Sequence, residues 1–231
     1  MKNAILRLLN LMLRRFGLTL TSSKNLLLTY QHDYGAGGYD RYRELQIFHN
    51  KRKIQSVWAD PDTIKFIANY LHAQINEIHG GICHGTRRGF EQAEFHRLLG
   101  CEVIGTEISD TASQFPNTVE WDFHVPKAEW LGAFSFVYSN SLDQAFDPKR
   151  AVATWVNQLE SNGLLFIEHT MMHAAQGASE MDPFGAHPMV MPYLLFEWGR
   201  GEYELFDILH PPHKKLGALD IWIFVIRKIR K

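Results

Sequence analysis

Residues 80–108 read GGICHGTRRGFEQAEFHRLLGCEVIGTEI. Ile82-Cys83 is the end of a short apolar strand, His84–Gly89 is a glycine-bearing turn, and Phe90–Leu99 has a helical pattern. Glu102–Ile108 is a second strand that closes on an acid. Strand, turn, helix, strand is the repeating unit of a parallel sheet. Downstream, Val119–Asp122, Phe134–Ser139 and Leu164–Glu168 read as strands, with a helix over Pro148–Leu159 and a turn at Asn162-Gly163. This alternation predicts an α/β fold built on a doubly wound, mostly parallel, seven-stranded sheet. Tyr203–Leu209 and Ile221–Ile226 are also strand-like, but Pro211, Pro212 and Gly217 fill the short linker between them. A parallel crossover needs roughly a dozen residues or more. The last two strands are therefore expected as a C-terminal antiparallel hairpin.

Ahead of this domain, assigned to residues 76–231, residues 1–75 read as a helical and irregular extension. Asp60-Pro61 is a helix start, an N-cap followed by proline in the first turn. It opens a helix over Asp62–Ala73, and a second helix is expected near residues 40–50. Ile5, Leu8, Leu9, Met12 and Phe16 fall on one face of an N-terminal helix, with Asn3, Arg7, Asn10 and Arg14 on another. Such a helix fits either an anionic membrane surface, as peripheral contact through residues 1–20, or packing on its own domain or a partner.

The chain has 231 residues, 45% of them hydrophobic, enough for a sizeable core. Of its 24 Lys and Arg and 25 Asp and Glu, five bases and no acid lie in residues 1–32, and six bases and one acid in residues 213–231. The body between them holds the remaining 13 bases and 24 acids, so near-neutrality is the sum of an acidic body and two basic ends. No aromatic-interleaved basic patch argues for nucleic acid. No apolar run reaches the roughly 18 residues of a membrane span. Arg14 and Arg15 interrupt the N-terminal apolar stretch, against a signal peptide. Two cysteines exclude a disulfide scaffold and fit a cytoplasmic setting.

In open α/β sheets, ligands bind beyond the carboxyl ends of the strands at the switch point. Four polar features fall there. The turn His84, Gly85, Thr86, Arg88, Gly89 lets a ligand approach the backbone and presents free N–H groups at a helix start. Glu107, beside Ile108, is placed to accept hydrogen bonds from both hydroxyls of a ribose. Asp122, beside Phe123, is placed to accept from an exocyclic amine such as that of adenine. Asn140 and Ser141 close the floor.

These segments resemble the core of a class I S-adenosylmethionine-dependent methyltransferase of the methyltransferase-11-like branch. GICHGTRRGFE is similar to its glycine-rich first motif, VIGTEIS to its second strand with the ribose-binding acid, and VEWDF to its adenine-contacting segment. FSFVYSNSLDQAFDP and LESNGLLFIEHT resemble the fourth and fifth strands. The resemblance implies S-adenosyl-L-methionine as cofactor. It also has departures. Cys83 replaces an acid that bears on how the methionine amino group is held, Arg87 replaces a glycine, and Asp143-Gln144 replaces a Glu-His pair.

An oxygen acceptor needs a base, and His169, His173 and Asp182 follow the fifth strand, with Glu180 and His187 nearby. The spacing of His169 and His173 is compatible with a metal, but neither HExxH nor CxxC is present, and no metal is expected. The expected acceptor is a small molecule or a glycan, specifically a sugar hydroxyl of a surface-glycan precursor at the inner membrane face. That guess rests on the opening LRLLNLMLRRFGLTL. A nicotinamide-dependent oxidoreductase and a non-catalytic adenosyl-binding scaffold stay open beside it. The oxidoreductase is disfavoured by the Gly85-x-x-x-Gly89 spacing, which is not GxGxxG.

Overall fold

The structure, a computed structural model, describes Leu13 and residues 29–229. The amphipathic pattern of residues 1–20 lies outside the described residues apart from Leu13. The elements are β1 (Thr29–Gln31), α1 (Gly38–Arg52), α2 (Pro61–Gln74), β2 (Gly80–His84), α3 (Phe90–Leu99), β3 (Glu102–Glu107), β4 (Thr118–Glu120), β5 (Phe134–Ser139), α4 (Pro148–Gln158), β6 (Leu159–Thr170), β7 (Phe184–Ala186), α5 (Met191–Gly199), β8 (Tyr203–Leu209) and β9 (Ile221–Lys228). Short 3-10 turns fill several of the connections.

Seven strands form one sheet in the order β4-β3-β2-β5-β6-β9-β8. The pairs β2–β3, β3–β4, β2–β5 and β5–β6 are parallel. The strand β9 runs antiparallel to both β6 and β8, as the short proline-bearing linker requires. Winding proceeds outward from β2 through β3 to β4, then restarts on the other side with β5. The switch point therefore lies between the carboxyl ends of β2 and β5.

The two faces of the sheet separate by strand parity, because successive side chains point to opposite faces. Ile82, Val137, Leu165, Ile167, Phe224 and Ile226 pack under α4 and α5, against Ala151, Val152, Trp155, Met191 and Leu195. Cys83, Phe136, Tyr138, Phe166, Ile223 and Val225 pack under α2 and α3, against Ile64, Ile67, Leu71 and Phe95. The helices α2 and α4 start as the sequence predicts. Asp60 accepts from the Thr63 N–H at 2.9 Å and Asp147 from that of Arg150 at 3.0 Å, each with proline in the first turn.

Three features depart from the sequence reading. A second sheet joins β1 to β7, antiparallel, with Tyr30 opposite Gly185, and ties the chain before α1 to the segment after β6. The helix α5 occupies residues with no assigned element. The strand β6 begins at Leu159, not after Asn162-Gly163: Asn162 takes φ 69°, and the pairing with β5 slips between Phe134 and Phe136. The expected turn is thus absorbed as an irregularity within the strand.

Candidate active site

A crevice opens over the carboxyl ends of β2, β3 and β5, with two lobes. The first is lined by Tyr42, Gln46, His49 and Asn50 of α1 together with Glu107, Ile108, Asp122 and Phe123. The second is lined by Val57, Trp58, Thr86, Arg88, Phe90, Glu91, Asn140, Ser141, Asp143, Met172, His173 and Asp182. Lys53, Gly85, Arg87, Gln144 and Met181 border both lobes, so they form one continuous groove.

The turn after β2 is shaped for close approach. Gly85 has φ 74°, and a Cβ there would meet Ser141 Cβ and Oγ at 2.6 Å. A side chain at this position would press the turn off the β5 end. Arg87 adopts φ 48° without being glycine, a conformation that costs on the order of 1–3 kcal/mol. Its N–H donates to Glu107 Oε2 at 3.0 Å, which holds the turn against the strand-end acid. Four amides of the turn itself are already engaged. The Gly85 and Thr86 N–H groups donate to the Thr106 carbonyl, that of Arg87 to Glu107, and that of Gly89 to the Thr86 carbonyl. The N–H groups that open α3 have no side-chain cap from Gly89.

Glu107 is nearly buried at the end of β3, and desolvation pushes its carboxyl up despite hydrogen bonds from Ser109 and Arg87. Each oxygen accepts one backbone N–H, Oε2 from Arg87 and Oε1 from Ser109 at 3.2 Å. An ionised carboxylate has about four acceptor positions, so two stay available. Asp122 accepts from the His124 N–H at 2.9 Å, from His124 Nδ1 at 2.6 Å and from the Tyr39 hydroxyl. Burial works against ionisation there, but these donors outweigh it and hold the carboxyl low. One acceptor position is left by the same count.

The second lobe holds polar groups without partners. Among the described residues, Trp58 Nε1, Thr86 Oγ1, Glu91 Oε2 and Asp143 Oδ1 are buried and make no hydrogen bond, and so are both ring nitrogens of His49 in the first lobe. Buried polar atoms are ordinarily satisfied. Six of the nine such atoms among the described residues belong to residues that line this groove. Desolvation raises the carboxyl of Asp143 to about 7 and that of Asp182 to about 6. Burial lowers His173 to about 4, so its ring is neutral near pH 7. The Thr170 N–H donates to His173 Nδ1 at 3.3 Å, which leaves the ring proton on Nε2, 3.9 Å from Asp143 Oδ2.

Of the residues singled out in the sequence, Gly85, Thr86, Arg88, Glu107, Ile108, Asp122, Phe123, Asn140, Ser141, His173 and Asp182 line the crevice. His84, Gly89 and His169 do not. His84 shares the parity of Ile82 and points into the α4 layer, stacked on Trp155 and bonded to Thr106 Oγ1 and Gln158 Oε1, both at 2.8 Å. Its basicity falls to about 4 through burial. His169 shares the parity of Ile167, bonds the Ala186 carbonyl at 2.9 Å and falls to about 3 for the same reason. Gly89 stands behind the turn with φ 78° and starts α3. Sequence reasoning missed Tyr42, His49, Lys53, Trp58 and Glu91, which reach the groove from distant segments. Asp143 had a signal in the sequence, its place in a family pair, but its burial did not.

No protein-family model and no curated protein sequence matches the chain. Solved structures do. The 1,6-didemethyltoxoflavin-N1-methyltransferase of Burkholderia thailandensis, with 1,6-didemethyltoxoflavin and S-adenosylhomocysteine bound, aligns with TM-score 0.60 and 16% identity over 87% of this chain and 94% of that one. The N-methyltransferase NodS from Bradyrhizobium japonicum WM9, in complex with S-adenosylhomocysteine, aligns with TM-score 0.57 and 11% identity over 80% of this chain and 99% of that one. The [4+2]-cyclase SpnF aligns with TM-score 0.55 and 12% identity over 72% and 81% of the two chains. The chain thus has the class I S-adenosylmethionine-dependent methyltransferase fold. At these identities the likeness defines architecture, and the presence of a cyclase shows that activity must be argued from the site.

Proposed function

We propose that the crevice binds S-adenosyl-L-methionine and that the protein is a methyltransferase acting on a hydroxyl of a small acceptor. The observation that carries this is the meeting of Glu107 with the Gly85–Arg87 turn in one groove that also holds the orphaned polar atoms. Glu107 has two acceptor positions for two ribose hydroxyls, and Asp122, which lines the same lobe as Ile108 and Phe123, has one for an adenine amine. Gly85, Thr86, Arg88, Asn140 and Ser141 border the amino-acid half of such a ligand. When bound, the cofactor supplies an electrophilic methyl group on a sulfonium centre.

Asp143 is the proton acceptor in this reading. Asp143 lines the second lobe, its Oδ1 is buried without a donor among the described residues, and its raised basicity suits removal of a hydroxyl proton near neutrality. His173 is a positioning residue, because Nδ1 is engaged and Nε2 carries the proton. Asp182, with Lys53 beside it, takes part in orienting the acceptor. His169 has no part in the proton transfer.

The acceptor proposed from the sequence, a sugar hydroxyl of a glycan precursor, gains support from Trp58. Trp58, with Lys215 Nζ 4.6 Å from its ring centroid on one face, lines the same lobe as Asp143, Asp182, Asn140 and Gln144, and an indole in such a lobe suits the apolar face and hydroxyl edge of a sugar ring. Peripheral membrane contact through residues 1–20, at the cytoplasmic side of an inner membrane, is a companion proposal. Flotation with anionic liposomes, with and without residues 1–20, tests it. Among the described residues no helix is long and apolar enough to cross a membrane.

The test of the function is titration with S-adenosylhomocysteine and with NADH, followed by assay for S-adenosylhomocysteine release over pooled sugar and phenol acceptors. Binding of the first ligand with turnover supports the reading. Binding of NADH alone favours an oxidoreductase, and binding without turnover a scaffold.

A further inference from the structure

Three cations line the second lobe without a counterion. Lys53 follows α1, Arg87 and Arg88 lie in the turn after β2, and all three are half-buried. None of them makes an ion pair among the described residues. Their neighbours in the chain are engaged elsewhere: Lys51 pairs with Asp110 at 2.8 Å, and the Arg52 guanidinium lies 5.9 Å from the Phe48 ring centroid. The Lys53 ammonium has three donors, and its hydrogen-bond partner among the described residues is the thioether of Met181 at 2.7 Å, a weak acceptor. Arg87 Nη1 donates to the Ser56 carbonyl at 2.9 Å, and Arg88 Nη1 to the carbonyl and the side-chain oxygen of Gln55, both at 3.3 Å. The loop that follows Lys53 thus holds both guanidinium groups, and each keeps further N–H donors. Burial lowers the basicity of Lys53, and the charges of Arg87 and Arg52 lower it further against the pull of Asp182 and Asp143.

Like charges gathered on one wall repel until an anion joins them. The acids of the lobe do not take that place. Burial raises the carboxyls of Glu91 and Asp143 to about 7 and that of Asp182 to about 6, and none of them is ion-paired to the three cations. Guanidinium forks and an ammonium together match the several oxygens and multiple charge of a phosphate. We propose that Lys53 and Arg87, with Arg88 on the same loop, receive a phosphate group carried by the methyl acceptor. This rests on the reading of the crevice as a methyltransferase site, and it narrows the acceptor to a phosphorylated molecule, either a monophosphate or a diphosphate ester.

Calorimetry at constant ionic strength tests it, with inorganic phosphate and pyrophosphate titrated into protein saturated with S-adenosylhomocysteine. The wild type should bind at least one of them in a saturable, one-to-one manner; tighter binding of pyrophosphate assigns a diphosphate, and tighter binding of phosphate a monophosphate. Lys53→Met should weaken that anion at least tenfold while S-adenosylhomocysteine affinity stays within threefold. Arg87→Gln gives the same reading of the anion if Lys53→Met fails to fold. Lys51→Met, which removes a neighbouring charge that is already paired, should leave anion affinity within threefold. Equal weakening by Lys51→Met and Lys53→Met overturns the proposal, because it marks a diffuse field and not a site. So does a Lys53→Met protein that loses S-adenosylhomocysteine affinity tenfold, since the cation then serves the cofactor. A wild type that binds S-adenosylhomocysteine but neither anion removes this inference alone, and one that binds no S-adenosylhomocysteine removes the parent reading with it.

Discussion

The backbone N–H of Arg87 donates to Oε2 of Glu107 at 3.0 Å, joining the turn after β2 to the acid at the end of β3. The bond fixes a left-handed arginine where a glycine would sit without strain. The same carboxylate lines the first lobe of the groove. Turn, acid and groove wall are one unit.

Gly85→Ala should disturb both stability and binding. The added Cβ meets Ser141 at 2.6 Å, and the φ of 74° is unfavourable for alanine. Losses of about 1–3 kcal/mol are expected in denaturant unfolding, together with at least a tenfold loss of S-adenosylhomocysteine affinity by calorimetry. Unchanged values in both would show that the turn relaxes freely.

Asp143→Asn should lower turnover on an acceptor hydroxyl by about 100-fold or more, while S-adenosylhomocysteine affinity stays within threefold. In the wild type the carboxylate must be ionised to accept a proton, so kcat/KM should rise with pH and level above about 7. A flat profile from pH 5 to 8 would remove Asp143 from the reaction.

The same substitution has a stability signature of defined sign. The folded carboxyl of Asp143 is raised to about 7, so between its unfolded value near 4 and pH 7 the native state binds the extra proton. Wild-type stability then loses ground as pH rises through that window. Asp143→Asn lacks this cost, and its stability relative to the wild type should increase from pH 5 to pH 8 by on the order of 2–4 kcal/mol. Urea unfolding at both pH values measures it.

Lys215→Met should cost about 3–5 kcal/mol. Lys215 Nζ pairs with Glu168 Oε1 with both side chains almost wholly buried, and Tyr138 donates to Glu168 Oε2 at 2.6 Å. Removing the cation strands the carboxylate. Adding Glu168→Gln should recover part of the loss in thermal unfolding, and no recovery would mean that packing, not charge, sets the cost.

Local pattern carried much of this architecture. The helix Phe90–Leu99 and the strands Phe134–Ser139 and Tyr203–Leu209 have the bounds read from the sequence, because glycine, turn residues and apolar periodicity mark their ends. The β1–β7 pair was illegible: three residues on each side carry no period, and their partners lie far apart in the chain. The helix α5 was missed because MPYLLFEWG offers no polar face to set a helical period, and Tyr193 and Phe196 are exposed. In the crevice, the turn and Glu107 were legible as a spacing. Lys53, Trp58 and Glu91 were not, since only folding brings α1, the loop after it and α3 to the same strand ends. For His84 and His169 the needed signal was present as strand parity with Ile82 and Ile167, which turns both rings into the core.

The most direct test of the account is calorimetric titration of S-adenosylhomocysteine into the wild type and into Glu107→Ala. Two charge-assisted hydrogen bonds of about 1.5–3 kcal/mol each are at stake, so the variant should bind at least tenfold more weakly. Equal affinity in the two proteins, or no binding by the wild type, would contradict the assignment of this groove.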